Sequence, residues 1–264
     1  MPNSLLIGRF VERDSVLHRL DPRTKLLGML IMMAVFLTVK SWDGYTAATA
    51  FVLLTAALSR IPIGLFLRGL LPVLPILSFA LLYHIMFGRG ETVLWSYSWL
   101  HIHAEGVVEG IRIVWRILLL ILLASVLTGT TRPLSLAQGL ETLLKPLSKL
   151  GVPIEQFSLM IVIAIRFIPT ILDELNRILL AQKARGHDLS TMPPAKRLFA
   201  FVPILVPLLV TTVQRAEQLT LAIDARGYGD GRGRTTYRPL AFGRIDYLAL
   251  GTVALLAAAL YGFA

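Results

Sequence analysis

Residues 107–128, which read VVEGIRIVWRILLLILLASVLT, decide the fold of this chain. A helix needs about 20 mostly apolar residues to cross the hydrocarbon core of a bilayer, and this run is long enough. Its two arginines, Arg112 and Arg116, lie near its start. Long cationic side chains in such places reach back to the membrane interface. The run therefore predicts a transmembrane helix.

Four further apolar runs flank this one along the chain. The protein has 264 residues, of which 55% are hydrophobic and 16% charged, whereas a soluble domain has about 45–50% apolar and about 25% charged residues. We therefore predict an all-α integral membrane protein with about five transmembrane helices. The four other runs cover residues 26–39, 45–58, 65–87 and 245–264.

The distribution of cations predicts the orientation in the membrane. Loops rich in Lys and Arg stay in the cytoplasm, and the segment before the first run is basic, so we place the N-terminus there. The loop over residues 88–106 has one arginine against two glutamates, together with interfacial aromatic residues, and is predicted outside. No signal-peptide pattern precedes the first run, so that run itself is expected to direct insertion. The basic residues are Arg9, Arg13, Arg19, Arg23 and Lys25.

The segment from 131 to 244 breaks the pattern of spans. Two apolar stretches, 157–168 and 199–213, each continue into charged sequence. If both were full spans, one basic end would lie outside. We therefore predict two long amphipathic helices that enter the membrane shallowly or lie along its inner face. The domains expected are membrane spans over 1–130, a cytoplasmic two-helix module over 131–230, and a linker with the last span over 231–264.

The two amphipathic helices end in the same way. Residues 180–186 read LAQKARG and residues 221–227 read LAIDARG, so five of seven positions are identical at an offset of 41 residues. A glycine suits the left-handed position after a helix, and a cation suits the negative helix end. Capping does not require an alanine before the arginine in both copies. We interpret the repeated ends as two helix tips, each of which the surface of another protein approaches closely.

These motifs resemble those of the transmembrane (T) component of energy-coupling factor transporters, prokaryotic importers of vitamins and metals. The resemblance covers nearly the whole chain. It implies that the two tips dock into grooves of two cytoplasmic ATP-binding-cassette ATPases, and that the apolar helix faces hold a substrate-binding membrane S component. The matching motifs are Ala184-Arg185-Gly186, Ala225-Arg226-Gly227, RLDPRTK at 19–25 and RFIPT at 166–170.

Catalysis by this chain is not expected. No glycine-rich loop precedes a Lys-Ser or Lys-Thr pair, so ATP has no phosphate-binding loop here. The chain has no cysteine, and His101 and His103 by themselves do not make a metal site. We therefore predict no enzymatic activity, no bound cofactor and no metal. The basic stretch 226–244 is interpreted as a linker near anionic lipid, without nucleic-acid binding.

Three polar residues lie inside apolar runs. Arg112 and Arg116 are expected to reach the interface, and His84 is expected to pack against a neighbouring span. Arg166 precedes the proline of the first long helix. Because charges within a membrane are costly, we expect Arg166 to pair with an acidic residue on another helix.

The sequence therefore favours an energy-coupling scaffold subunit in a prokaryotic cell membrane. The main alternative is a self-sufficient secondary transporter or channel, which would show repeated halves and a polar site at the membrane midplane. The only repeat here is at the helix ends. An intramembrane enzyme is a third alternative, but no His/Glu or Ser/His set has suitable spacing. The transported solute is left open.

Overall fold

The chain is described by a computed structural model that covers residues 11, 13–97, 100–187, 193, 199, 201–227 and 240–262. It forms two compact units. Unit 1 comprises residues up to 143 and from 240 onward, and unit 2 comprises residues 144–239. The three-part division expected from the sequence stays a prediction.

Unit 1 contains eight helices and one hairpin among the described residues. The hairpin joins two antiparallel strands between α5 and α6. The elements are α1 (Val16–Arg19), α2 (Pro22–Thr38), α3 (Trp42–Ser59), α4 (Ile63–Leu70), α5 (Leu74–Phe87), β1 (Val93–Tyr97), β2 (Leu100–His103), α6 (Ala104–Thr130), α7 (Pro133–Leu144) and α10 (Arg244–Tyr261).

Unit 2 is built from two long helices. A 3₁₀ helix, Lys145–Leu150, leads into α8 (Ile154–Ala184), and α9 (Val202–Ala225) follows. Proline lies inside both long helices, at Pro169 and Pro207. With 31 residues, α8 is about 46 Å long at 1.5 Å per residue. The two predicted long helices are therefore present.

In each of the five predicted apolar runs most of the described residues are helical, and the prediction of an all-α membrane protein is confirmed. Within the described residues, length and composition alone qualify α6 and α10 as spans. A third candidate is α4 with α5, a pair bent by 57°. The count of five spans stays a prediction. The hairpin was not expected, since its short strands lie in a loop that carries no strong strand pattern.

Helix boundaries in unit 1 follow from local capping. The carboxylate of Asp21 accepts the N–H of Arg23 at 2.9 Å, and Pro22 occupies the first turn of α2, where its missing N–H costs nothing. Ser41 caps α3 by accepting the N–H of Gly44 at 3.1 Å. Arg60 ends α3 in the left-handed conformation, with φ of 55°.

The core of unit 1 forms where four helices meet. Met32 and Phe36 of α2 and Val52 of α3 are almost completely buried. Leu119 and Leu123 of α6 and Leu260 of α10 complete the same cluster. The last helix is thus an integral part of the bundle, although more than 100 residues separate it from α6 along the chain.

One end of unit 1 gathers the starts of α2 and α10 and the end of α6. Asp21 donates its N–H to Asp246 at 2.8 Å, and Lys25 Nζ donates to the carbonyl oxygen of Thr130 at 3.1 Å. Arg60, which ends α3, donates to the carbonyl oxygen of Asp14 at 3.4 Å. We call this the cationic end. It includes Arg13, Arg19, Arg23, Lys25, Arg60, Arg132 and Arg244.

Arg112 and Arg116 bind the turn between α2 and α3. Arg116 Nη2 donates to the carbonyl oxygen of Val39 at 2.7 Å and to the hydroxyl of Tyr45 at 2.9 Å. The guanidinium of Arg112 lies 5.2 Å from the ring centre of Trp42. The expected reach to the membrane interface stays a prediction, and a turn between two predicted spans is where that interface would lie. The last carbonyls of a helix lack hydrogen-bond partners within it. The carbonyl oxygen of Val39, the residue after α2, accepts a hydrogen bond from Arg116 instead.

Helices α5 and α6 approach each other at glycines. A Cβ on Gly106 would lie 2.8 Å from the carbonyl oxygen of His84 and 2.9 Å from Gly88 Cα. His84 itself is half-buried. Its Cβ lies 3.1 Å from the position that a Cβ on Gly110, in α6, would occupy. The expectation that His84 packs against a neighbouring span is therefore confirmed.

Gly106→Ala is expected to lower the free energy of unfolding by about 1–3 kcal/mol, because the backbone of α5 would have to move. Gly251→Ala is the matched control, since nothing lies within 4 Å of its Cβ position. That change should be neutral or stabilise by up to about 1 kcal/mol. Thermal unfolding of both variants in detergent measures the difference. Equal melting temperatures would contradict the close approach.

Candidate functional site

The first repeated tip ends α8 with a tight cap. Arg185 follows the helix with φ of −85° and ψ of 7°, and Gly186 is left-handed with φ of 86°. Gly186 donates its N–H to the carbonyl of Lys183 at 3.0 Å, and His187 donates to that of Gln182 at 2.9 Å. These two bonds make a Schellman motif, which needs a residue that tolerates positive φ.

The second tip has the same construction. Arg226 follows α9 with φ of −87° and ψ of 4°, and Gly227 is left-handed with φ of 67°. Gly227 donates its N–H to the carbonyl of Asp224 at 2.9 Å. Capping thus explains the glycine in both copies. It does not explain the repeated alanine and arginine.

All six residues of the two triplets are exposed. Within the described part of the chain, neither the Arg185 nor the Arg226 guanidinium has a hydrogen-bond or ion-pair partner. A cation at a helix C-terminus interacts favourably with the helix dipole, by about 0.3–1 kcal/mol. This small gain uses none of the guanidinium donors, and no described residue binds them. The six residues are Ala184, Arg185, Gly186, Ala225, Arg226 and Gly227.

The two tips lie at opposite ends of an antiparallel helix pair. Gln182, near the end of α8, donates its side-chain amide to the carbonyl of Pro203, at the start of α9, at 3.3 Å. Ile163, early in α8, lines the same cleft as Ile223, late in α9. Twenty-three residues of helix from Pro203 to Arg226 correspond to roughly 35 Å. One compact partner groove therefore cannot hold both arginines.

A small cleft separates the middles of the two helices. Its volume is about 220 Å³, and it is lined mostly by apolar side chains with Glu174 and Arg215 among them. On the outside of the pair, large apolar residues are exposed. Such a patch on an isolated chain indicates contact with lipid or protein. It includes Phe157, Met160, Ile168, Leu172, Leu205 and Leu209.

Arg166 is exposed, and no acidic partner contacts it among the described residues. The expected pairing within this chain is therefore not found in that part of the protein. Its position on α8 explains this: the neighbouring Ile163 and Phe167 line the cleft with α9, whereas Arg166 does not.

No metal site is found among the described residues. No group of three or more His, Cys, Asp or Glu side chains comes together there. The His103 ring donates through Nδ1 to the carbonyl of Gly88 at 2.9 Å, so it joins the hairpin to the end of α5. The side chain of His101 lies outside the described part of the chain.

A polar cluster at the cationic end was missed by sequence reasoning. Asp246 accepts the N–H of Asp21 and that of Gly243, each at 2.8 Å. The Arg23 guanidinium lies 3.6 Å from Asp21, donates to the carbonyl of Leu240, and lies 5.0 Å from the ring centre of Phe242. The one available signal was Asp246, an acidic residue at the start of an apolar run.

The fold and the site define the class: a multi-helix membrane protein that presents two cationic helix tips. The family model described as CbiQ, cobalt transport protein, matches residues 13–237. Several curated relatives named energy-coupling factor transporter transmembrane protein EcfT match over nearly their whole length.

The EcfT of Bacillus subtilis (strain 168) is 38% identical over 261 residues, which cover 99% of this chain and 98% of the relative. That of Streptococcus thermophilus is 40% identical over 261 residues, with the same shares covered. That of Lactococcus lactis subsp. cremoris is 38% identical over 250 residues, covering 95% and 94%.

The chain therefore belongs to the family of energy-coupling factor transporter transmembrane proteins, the T components of these transporters. This confirms the predicted family and the prediction of a non-enzymatic transport subunit. It also favours that role over a self-sufficient transporter or channel. The docking role of the two triplets stays a prediction.

Proposed function

We propose that this chain couples ATP hydrolysis in two cytoplasmic ATP-binding-cassette ATPases to a membrane S component that binds vitamins or other micronutrients. Arg185 and Arg226 are the docking residues, each flanked by small Ala and Gly. The observation that carries the proposal is the repeated exposed cap, found at opposite ends of one antiparallel helix pair.

The spacing of the tips suits a pair of partners. Two sites roughly 35 Å apart, with the same cap geometry, fit two related grooves better than one. The ATPases are accordingly a homodimer or a heterodimer of similar subunits. Movement of the two grooves relative to each other would change the angle or position of the helix pair, because each tip is fixed to a rigid helix.

Arginine suits such a groove because of its chemistry. Its guanidinium is always charged and offers five donors in a planar fork. In a groove it can bind carboxylates or helix C-terminal carbonyls, and each charge-assisted bond contributes roughly 1.5–3 kcal/mol. The adjacent alanines leave room for close approach. The exposed apolar patch of α8 and α9 then remains available for the S component and lipid.

The proposal requires that unit 2 lie on the cytoplasmic side. The chain leaves unit 1 through α7 and re-enters it at residue 240, and both places lie at the cationic end. The positive-inside rule predicts that this end faces the cytoplasm, which supports the requirement. A Cβ on Gly139 of α7 would lie 3.1 Å from Pro22, and Arg23 binds the carbonyl of Leu240.

Cysteine labelling tests this orientation directly, because the chain has no cysteine of its own. His187→Cys, beside the first tip, should react with a membrane-impermeant maleimide in inverted vesicles and not in intact cells. Glu91→Cys, in the loop predicted outside, should show the reverse. Labelling of His187→Cys in intact cells would contradict the proposed docking.

A further inference from the structure

Proline interrupts the backbone hydrogen bonding of α9 near its start. In an α-helix the N–H of each residue binds the carbonyl oxygen of the residue four positions earlier, and proline has no N–H to donate. Pro207 lies inside α9, so the carbonyl oxygen of Pro203 loses the donor that it would normally have within the helix. It is therefore able to accept a hydrogen bond from another helix. We call residues 203–207 the proline turn.

Gln182 of α8 supplies a donor to the proline turn. Its side-chain amide donates to the carbonyl oxygen of Pro203 at 3.3 Å. Gln182 is only 8% exposed, and it is one of two buried polar residues in the described part of unit 2, the other being Ser158. A buried amide is costly to leave without a hydrogen bond. The bond to Pro203 therefore favours one position of α8 along α9.

The same glutamine closes the cap of the first tip. The backbone carbonyl of Gln182 accepts the N–H groups of Arg185 and His187, at 3.1 and 2.9 Å. Its backbone thus holds the residue that carries the guanidinium, while its side chain binds the proline turn of α9. The first tip is in this way tied to the other helix through a single residue.

The second tip differs at the corresponding position. There the repeat has Ile223 in place of Gln182, and Ile223 lines the mostly apolar cleft between the helices. Apolar contacts are not directional, whereas a hydrogen bond weakens steeply when its distance or angle changes. Packing of Ile223 therefore holds the helices together, and the bond of Gln182 specifies how far they overlap.

We propose that Gln182 is a positioning residue, whose bond to the proline turn fixes the axial register of α8 and α9 and so the separation of Arg185 and Arg226. The inference rests on the proposed function, in which the two arginines dock in two ATPases. Tips held at one separation are ready to engage both grooves at once. If the helices slid past each other, the apparent affinity would fall with the fraction of molecules that have the right separation.

Spin labels beside the two tips measure the register directly. The chain has no cysteine, so His187→Cys and Asp224→Cys provide one exposed label site at each tip. Pulsed electron–electron double resonance on the full-length protein in detergent gives the distribution of label distances. Gln182→Met keeps the size of the side chain and removes the donor. It should add distances that differ from the main one by roughly 5 Å, one helix turn.

Gln218→Met is the matched control for this measurement, because it makes the same change at an exposed position of α9. Its distance distribution should equal that of the protein with glutamine at both positions. A distribution that is equally narrow in Gln182→Met would overturn the proposal.

Pro207→Ala separates a positioning role from a merely stabilising one. The alanine restores an N–H that can bind the Pro203 carbonyl within α9. Alone, Gln182→Met should lower the melting temperature in detergent by about 2–4 °C, the value of one hydrogen bond. With Pro207→Ala the loss should be smaller, but the added label distances should persist, since the bond between the helices is still absent. Equal thermal losses in both backgrounds, or a narrow distance distribution in the double variant, would contradict the role.

Titration with the purified ATPase pair tests the consequence for docking. Gln182→Met should weaken binding about five-fold, the value of one hydrogen bond, because fewer molecules hold the tips at the right separation. In an Arg226→Ala background only the first tip docks, so the separation no longer matters. There, Gln182→Met should have no further effect.

This titration also distinguishes failure of the inference from failure of the proposed function. Unchanged binding by Gln182→Met, or a loss that persists in the Arg226→Ala background, would show that Gln182 does not act through the separation of the tips. Either result overturns the inference and leaves the docking of the arginines intact. If the protein with both arginines bound no ATPase, the proposed function itself would be wrong.

Discussion

Replacement of both Arg185 and Arg226 by alanine is expected to abolish ATP-driven uptake while the protein still inserts into the membrane. Each guanidinium is exposed and unpartnered within the described chain, so its loss costs the fold little. In the complex, removal of an arginine desolvated in a groove costs about 2–5 kcal/mol. Two such losses should reduce the affinity for the ATPase pair by about a thousand-fold or more.

Copurification of the ATPases with the tagged protein, together with solute uptake, measures this effect. Arg177→Ala is the matched control, because it removes an exposed arginine from α8 about 12 Å before the first tip. It should copurify normally. Each single tip variant should retain partial binding, since one anchor remains. A double variant with a full complement of active ATPases would refute the docking role.

The local features of the tips could be predicted from the sequence because they depend on neighbouring residues. Gly186 and Gly227 have positive φ, as a glycine after a helix indicates. The antiparallel arrangement could not be predicted. It depends on contacts such as Gln182 with Pro203, across a connection whose pattern does not specify a return path.

The same limit applies to unit 1. The apolar runs predicted its helices, since bilayer thickness imposes their length and composition. The bond from Asp21 to Asp246 joins residues 225 positions apart, and neither residue has a periodic signal. Hydrophobicity alone does not distinguish a lipid-facing residue from one that lines a cleft.

Asp246→Ala is expected to destabilise unit 1 more than any other single substitution considered above. The carboxylate is buried and accepts the N–H groups of Asp21 and Gly243. Its removal leaves two donors unsatisfied, at about 1–3 kcal/mol each. It also removes the negative charge at the start of α10, where the helix dipole favours it. The sum, including the dipole term, is about 2–7 kcal/mol in the free energy of unfolding.

Thermal unfolding in detergent and the amount of protein in the membrane measure this loss. Asp246→Asn keeps one acceptor oxygen, so it should recover part of the stability. Asp43→Ala is the control, because Asp43 also lies in the first turn of a helix, α3, but is exposed. It should cost less than about 1 kcal/mol. Equal losses at Asp246 and Asp43 would mean that the link between α2 and α10 contributes nothing, and that the apolar contacts of α10 alone keep it in the bundle.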